Sequence, residues 1–269
     1  MSGSFHSFHI DCPDSIFESL RSITGFEDVT RGRDGTVLVG TRSAGGGVGG
    51  GAGGSVEIPI VRTTTKYEKP AQRFSKVHFD IIKQIRAKAQ EEFKIDDFEA
   101  NNALIEIYDT NYRKMGFHSD QALDIADDSY IAVYSCYNNM GRNPDTLRKL
   151  KIKNKETDEN SEVLMDHNSV VMFSTDTNYQ HLHKIVLEGN KHDDVDTLWL
   201  GITFRLSKTY IKIVDEIAYF TDGRVLAIAN EKELKEFYKL RGAENRSKTK
   251  FEYPTLTYTI SSSDIMEPI

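Results

Sequence analysis

The sequence holds only two cysteines, Cys12 and Cys136, far apart and in no C-x-x-C pair. That argues against a disulfide framework and against a cysteine zinc site. It suits a reducing compartment, and an intracellular location, cytoplasmic or nuclear, is expected. No run of about eighteen apolar residues occurs, so no membrane-spanning helix is expected. The stretch MSGSFHSFHIDCPDS has neither a basic n-region nor an apolar h-region, and no secretory signal is expected from it. Positive charge is also in short supply: the formal net charge is −7, where a dedicated nucleic-acid binder is usually basic. The nearest thing to a basic stripe, residues 147–155 (LRKLKIKNK), runs straight into ETDENSE and reads as the solvated face of a strand or hairpin. No internal repeat is visible.

What is present describes an ordinary globular chain. Its 269 residues are 38% hydrophobic and 28% charged, enough for one substantial core with or without an appendage. Residues 14–23 show a short amphipathic helix pattern with Asp14 as candidate N-cap, and residues 36–40 read as a strand. Residues 43–55 (SAGGGVGGGAGGS) are dominated by glycine and lack the Lys-Ser/Thr close of a phosphate loop, which predicts a flexible loop. Residues 56–65 resume strand character. Residues 75–93 form the clearest helix, with Ser75 as N-cap and Phe79, Ile82, Ile85, Ala89 and Phe93 on one face.

Short β-branched or aromatic segments then dominate: 103–108, 129–137, 147–152, 169–173, 183–187 and 197–206. They predict a sandwich or barrel. A late helix over 231–241 and an extended stretch over 251–260 follow. The organisation expected is an N-terminal appendage (1–59), a β core (60–215) and a C-terminal extension packing on it (216–269).

Chemistry concentrates in YDTNYRKMGFHSD, which ends on His118-Ser119-Asp120, and in QHLHKIVL followed by GITFR. On an extended strand residues i and i+2 share a side, so His118 and Asp120 converge on one point. Two imidazoles and a carboxylate on one face suit Fe(II) with open positions for further ligands, and zinc takes the same donors. The same periodicity puts His181 and His183 on one side and does not choose between them. Arg205 can grip a carboxylate with paired charge-assisted hydrogen bonds.

As a set these blocks resemble the AlkB-like family of Fe(II)/2-oxoglutarate dioxygenases. NNALIEIYDTNYRKMGFHSD resembles the family's N-x-x-L-x-N-x-Y and G-x-H-x-D blocks, NSVVMFSTDTNYQHLHKIVL its turn and strand carrying the distal histidine, and LWLGITFRL its R-x-x-L-T-F-R strand. The resemblance covers roughly residues 60–210. It implies a mainly β fold with flanking helices (α+β) around a double-stranded β-helix, or jelly-roll, core. It implies His118, Asp120 and His183 as iron ligands, with Tyr108 and Arg205 holding 2-oxoglutarate. O2 and 2-oxoglutarate would be consumed, succinate and CO2 released, and a C–H bond hydroxylated; on an N-methyl group the product would collapse to formaldehyde.

Two positions depart from the pattern. Glu106 stands where the family has asparagine, placing a carboxylate beside an anionic co-substrate, and Trp199 replaces the first arginine of the last block. The second departure leaves Arg205 as the main expected anchor and suggests another substrate. Alkylated nucleic acid, a small molecule and a protein side chain are the substrate classes to weigh. A base-binding relative would use stacking aromatics such as Phe5, Phe8, Tyr67 or Phe74 and basic residues such as Arg31, Arg33, Arg42, Arg62, Lys66 and Lys69. The rival from another class is a non-catalytic binding module that keeps the jelly-roll core.

Overall fold

The computed structural model describes residues 5–23, 25–43, 56–139, 147–188 and 197–269. The first part runs β1 (His6–His9), α1 (Ile16–Arg21), β2 (Glu27–Thr30), β3 (Arg33–Val39), β4 (Arg42–Ser43), β5 (Val56–Pro59), β6 (Gln72–Arg73) and α2 (Lys76–Phe93). The middle holds β7 (Asn102–Tyr108), β8 (Tyr130–Tyr137), β9 (Arg148–Asn154), β10 (Asn160–Met165), β11 (Ser169–Ser174), α3 (Thr175–Gln180), β12 (His181–Leu187) and β13 (Trp199–Arg205). Last come β14 (Tyr210–Val214), β15 (Ile217–Phe220), β16 (Ala227–Ile228), α4 (Glu231–Arg246) and β17 (Tyr258–Thr259).

Two antiparallel layers face each other. The larger has the order β1-β11-β8-β13-β7-β3-β2, with β6 alongside β3. The smaller runs β10-β9-β12, and residues 114–118 continue it through the bridges Lys114–Val186 and His118–His183. From β7 to β13 the chain crosses between layers at every step except the β9–β10 hairpin, which is jelly-roll winding. The fold is mainly β with flanking helices, as the resemblance implies. β2 and β3, from the segment expected to be an appendage, extend the larger sheet beyond β7.

Alternation along the strands explains the layering. On β7, β8 and β13, the residues Ala103, Ile105, Ala132, Tyr134, Leu200, Ile202 and Phe204 join α1 and α2 in one core. Tyr108, Val133, Tyr137 and Trp199 point the other way, into the sandwich, against Leu150, Ile152 and Ile185 of the smaller sheet. A sheet covered on both faces reads as nearly continuous apolar strands. Each fully buried aliphatic side chain, such as Ile85 or Ile202, contributes up to about 1.5–3 kcal/mol.

Several expectations need correction. Helix α2 buries His78, Ile81, Ile82, Ile85 and Ala89, whereas Phe79 is 53% exposed. The buried stripe keeps Ile82, Ile85 and Ala89 of the expected face, takes in His78 and Ile81 in place of Phe79, and leaves Phe93 only partly buried. His78 earns its place by closing the cap: its Nδ1 accepts the Ser75 N–H at 2.9 Å, and burial pushes the imidazole down to about 4. The strand expected over 56–65 is only Val56–Pro59, and that over 251–260 only Tyr258–Thr259. Phe8, Tyr67 and Phe74 are buried, so they pack rather than stack on a ligand. The glycine-rich loop lies outside the described residues after Ser43. The basic run is β9, whose outward Lys149, Lys151 and Lys153 pair with Glu162, Glu188 and Asp158.

The C-terminal part is tied to the core by a buried cation. Arg62 pairs with Asp124 (Nη2 to Oδ1, 2.7 Å) and donates to the carbonyls of Leu256 and Tyr258 at 2.8 and 3.1 Å. Close by, Asp264 accepts the Thr259 hydroxyl, and burial above all, helped by Asp124, pushes its carboxyl up to about 7. An acid whose folded pKa lies above its unfolded value, near 3.9, favours the native state while protonated and loses that advantage as pH rises through the folded value. Thermal unfolding midpoints are therefore expected to fall as pH rises from about 4 to about 7 and to level off above that, and Asp264→Asn to flatten that fall. Equal slopes in variant and parent would remove Asp264 as the cause.

Candidate active site

The site is assembled by one backbone pairing. His118 N–H donates to the His183 carbonyl at 3.0 Å, and His183 N–H returns a bond to the His118 carbonyl at 2.7 Å. Residues so paired across antiparallel strands project to one side, and Asp120, two residues on, follows. One donor atom from each of His118, Asp120 and His183 lies within 4.8 Å of the others. The facing atoms are the Nε2 of His183, 3.3 Å from Asp120 Oδ1, and the Nε2 of His118, 3.9 Å from the same oxygen. His118 is steadied behind, its Nδ1 3.1 Å from the Gly116 carbonyl.

Asp120 is held from two directions. Arg205 places Nε and Nη2 each 2.8 Å from Oδ2, leaving Oδ1 to the imidazoles. The buried Asn178 of α3 clamps its backbone, accepting the Asp120 N–H and donating to the Asp120 carbonyl, both at 2.8 Å. Burial would raise the Asp120 carboxyl, but Arg205 and the two histidines hold it well below the usual range. Burial, and then His183, pushes His118 down to about 3. His118 is thus a neutral imidazole beside the Asp120 carboxylate, the protonation states that metal binding requires of these two groups.

His181 is turned elsewhere. Its Nδ1 lies 2.9 Å from the Thr177 carbonyl and its Nε2 3.3 Å from Asn154 Nδ2. It closes the end of α3, a role strand periodicity could not reveal. Two imidazole nitrogens and one carboxylate oxygen, with the second oxygen occupied, fit Fe(II) bound on one face with positions left open.

A cavity of about 360 Å³ opens over this group. Tyr108, Glu106 and Arg33 line one side; Thr63, Thr64 and Thr65 and, from α4, Arg241 and Asn245 also border it. The Tyr108 hydroxyl donates to Glu106 Oε2 at 2.6 Å, and Arg33 Nε donates to Oε1 at 2.7 Å. The repulsion expected from Glu106 is therefore met by an ion pair. Trp199 is almost fully buried, its Nε1 donating to Ser135 Oγ at 2.7 Å and its ring 4.7 Å from that of Tyr108. Arg205, expected on a co-substrate carboxylate, lines the cavity while bonded to Asp120. Sequence reading missed Asn178, Arg241 and Asn245 here, and it counted Arg33 only as scattered basic charge.

Fold and donor set together define a mononuclear iron oxygenase. Residues 55–205, more than half of the chain, match the 2OG-Fe(II) oxygenase superfamily, and the chain belongs to it. It is a 2-oxoglutarate-dependent dioxygenase, with Fe(II) as cofactor and 2-oxoglutarate and O2 as co-substrates. Among solved structures, a prolyl-4-hydroxylase from Pseudomonas putida is 13% identical with a TM-score of 0.43, over 77% of this chain and 94% of that one. No match was found among curated proteins. No helix among the described residues is long and apolar enough to cross a membrane.

Proposed function

We propose that His118, Asp120 and His183 hold the iron, and that the enzyme hydroxylates a C–H bond of a small molecule or of a single amino-acid side chain. The observation that carries this is the convergence of two Nε2 atoms and Asp120 Oδ1 on a cavity of about 360 Å³. Bound Fe(II), with O2 and 2-oxoglutarate, supplies oxidising power as the keto acid becomes succinate and CO2. The chain's own residues do the positioning. Arg205 fixes the rotation of the Asp120 carboxylate and keeps it ionised. Tyr108 borders the space for the co-substrate carboxylates on one side, and Arg205, bonded to Asp120, borders it on another. Leu104, Val133, Leu150 and Ile185 give the cavity apolar wall that limits water.

The AlkB-like reading on alkylated bases draws its support from motif spacing. The surface favours a smaller substrate: Phe8, Tyr67 and Phe74 are committed to packing, and the β9 lysines are paired with acids. A relative that flips bases needs exposed stacking rings and a positive groove. A binding module without turnover would have no need of the complete donor set. Succinate release should be measured with Fe(II) and 2-oxoglutarate against metabolites, peptides and alkylated oligonucleotides. A metabolite or peptide is expected to stimulate release; stimulation by oligonucleotides alone would contradict the proposal.

A further inference from the structure

We propose that Arg33, on β3 and outside the segment that matches the superfamily, anchors the distal carboxylate of 2-oxoglutarate, and that Glu106 occupies that seat until the co-substrate displaces it. The inference rests on the reading of the site given above. Trp199, Tyr108 and Arg33 form one cross-strand row over β13, β7 and β3. Neighbours in such a row project to the same face, here the face that looks into the cavity. On β13 that row offers an indole rather than a cation. Arg33 sits in the same row, beyond Tyr108.

The seat is already shaped for a carboxylate. Arg33 Nε donates to Glu106 Oε1 at 2.7 Å, Arg33 Nη2 pairs with the same oxygen, and the Tyr108 hydroxyl donates to Oε2 at 2.6 Å. A guanidinium and a phenol gripping two carboxylate oxygens would hold an incoming carboxylate equally well. The neighbours of Glu106 across the sheet are Gly35 and Gly201, so no side chain of theirs crowds it. A spare donor stands close: the Tyr67 hydroxyl is buried without a hydrogen-bond partner, 2.8 Å from where a Cβ on Gly35 would lie. Burial first, and then the Glu106 charge, pushes that phenol well above its ordinary value.

Among the described residues, the other arginines at or near the cavity are committed. Arg205 is bonded to Asp120, and Arg241 reaches Glu244 from α4. Arg148 spends Nη1 and Nη2 on the carbonyls of Tyr112 and Asp109, each at 2.7 Å, and does not line the cavity. That leaves Arg33 as the cation on the Tyr108 side. Its present partner is an internal carboxylate, which makes Glu106 a competitor that weakens co-substrate binding.

The test is calorimetric titration of the Mn(II)-loaded protein, without turnover, using 2-oxoglutarate and 2-oxobutyrate, which chelates alike but has no distal carboxylate. Arg33→Met is expected to weaken 2-oxoglutarate by about tenfold to a hundredfold, the worth of a charged hydrogen bond, and to leave 2-oxobutyrate unchanged. Glu106→Gln should tighten 2-oxoglutarate about tenfold by removing a like charge, again without effect on 2-oxobutyrate. The double variant leaves no unpaired buried charge and should bind 2-oxoglutarate more weakly than Glu106→Gln alone. Equal losses for both keto acids, or no change for 2-oxoglutarate in Arg33→Met, would overturn the anchor. If the parent protein binds neither keto acid with metal, the site reading itself fails and the anchor with it.

Discussion

His118→Ala is expected to strip the protein of Fe(II) while leaving it folded. His118 is the most exposed of the three donors, its side chain 29% accessible against 6% for Asp120 and 6% for His183. Its Nδ1 bonds with the Gly116 carbonyl, and its strand pairing runs through the backbone, which alanine keeps. Loss of the imidazole therefore costs little packing but leaves the metal two protein ligands. Altering a group that merely supports a ligand lowers affinity about 10–100-fold, so removal of the ligand itself should exceed about a hundredfold. Metal content after dialysis against Fe(II), read beside the unfolding midpoint, checks both halves. Full occupancy in His118→Ala would place the iron elsewhere.

Arg62→Met is expected to produce the largest loss of stability. Arg62 and Asp124 are 4% and 0% exposed, and three bonds join them: backbone N to Oδ2 at 2.8 Å, Nε to Oδ2 at 3.0 Å and Nη2 to Oδ1 at 2.7 Å. Removing the cation leaves a buried carboxylate without its partner and frees the carbonyls of Leu256 and Tyr258. Breaking such a pair typically costs about 3–5 kcal/mol, a large part of the roughly 5–15 kcal/mol that holds a domain together. Urea unfolding measures it, and Arg62→Met with Asp124→Leu should recover much of the loss, because no lone charge then remains. The damage should also reach the site. The 253–258 segment packs with α4 through Tyr253, Leu256 and Tyr258, and α4 supplies the Asn245 oxygen that accepts the Ser119 N–H at 3.0 Å.

Local pattern made much of this legible, and long-range pairing hid the rest. Nearly continuous apolar runs mark β7, β8, β11 and β13 because both faces of that sheet are buried. β10 shows no such signal, since five of its six residues are not buried. The β14–β15 hairpin escaped notice because its turn residues, Asp215 and Glu216, adopt φ of 49° and 64° without the Asn-Gly that normally announces such a turn. Helix α3 is six residues long, too short for a period to emerge. At the site, the i, i+2 spacing of His118 and Asp120 is a local fact. The choice of His183 over His181 depends on α3 drawing the His181 ring to the Thr177 carbonyl. Arg33 reaches the cavity through pairing of β3 with β7, some seventy residues later in the chain, and no periodicity carries that.

The most direct test of the iron site is succinate formed from 2-oxoglutarate with Fe(II) by the parent protein, His183→Ala and His181→Ala. The parent and His181→Ala are expected to release succinate and His183→Ala to release none. Turnover that survives in His183→Ala but vanishes in His181→Ala would contradict the assignment of the third ligand and, with it, the site.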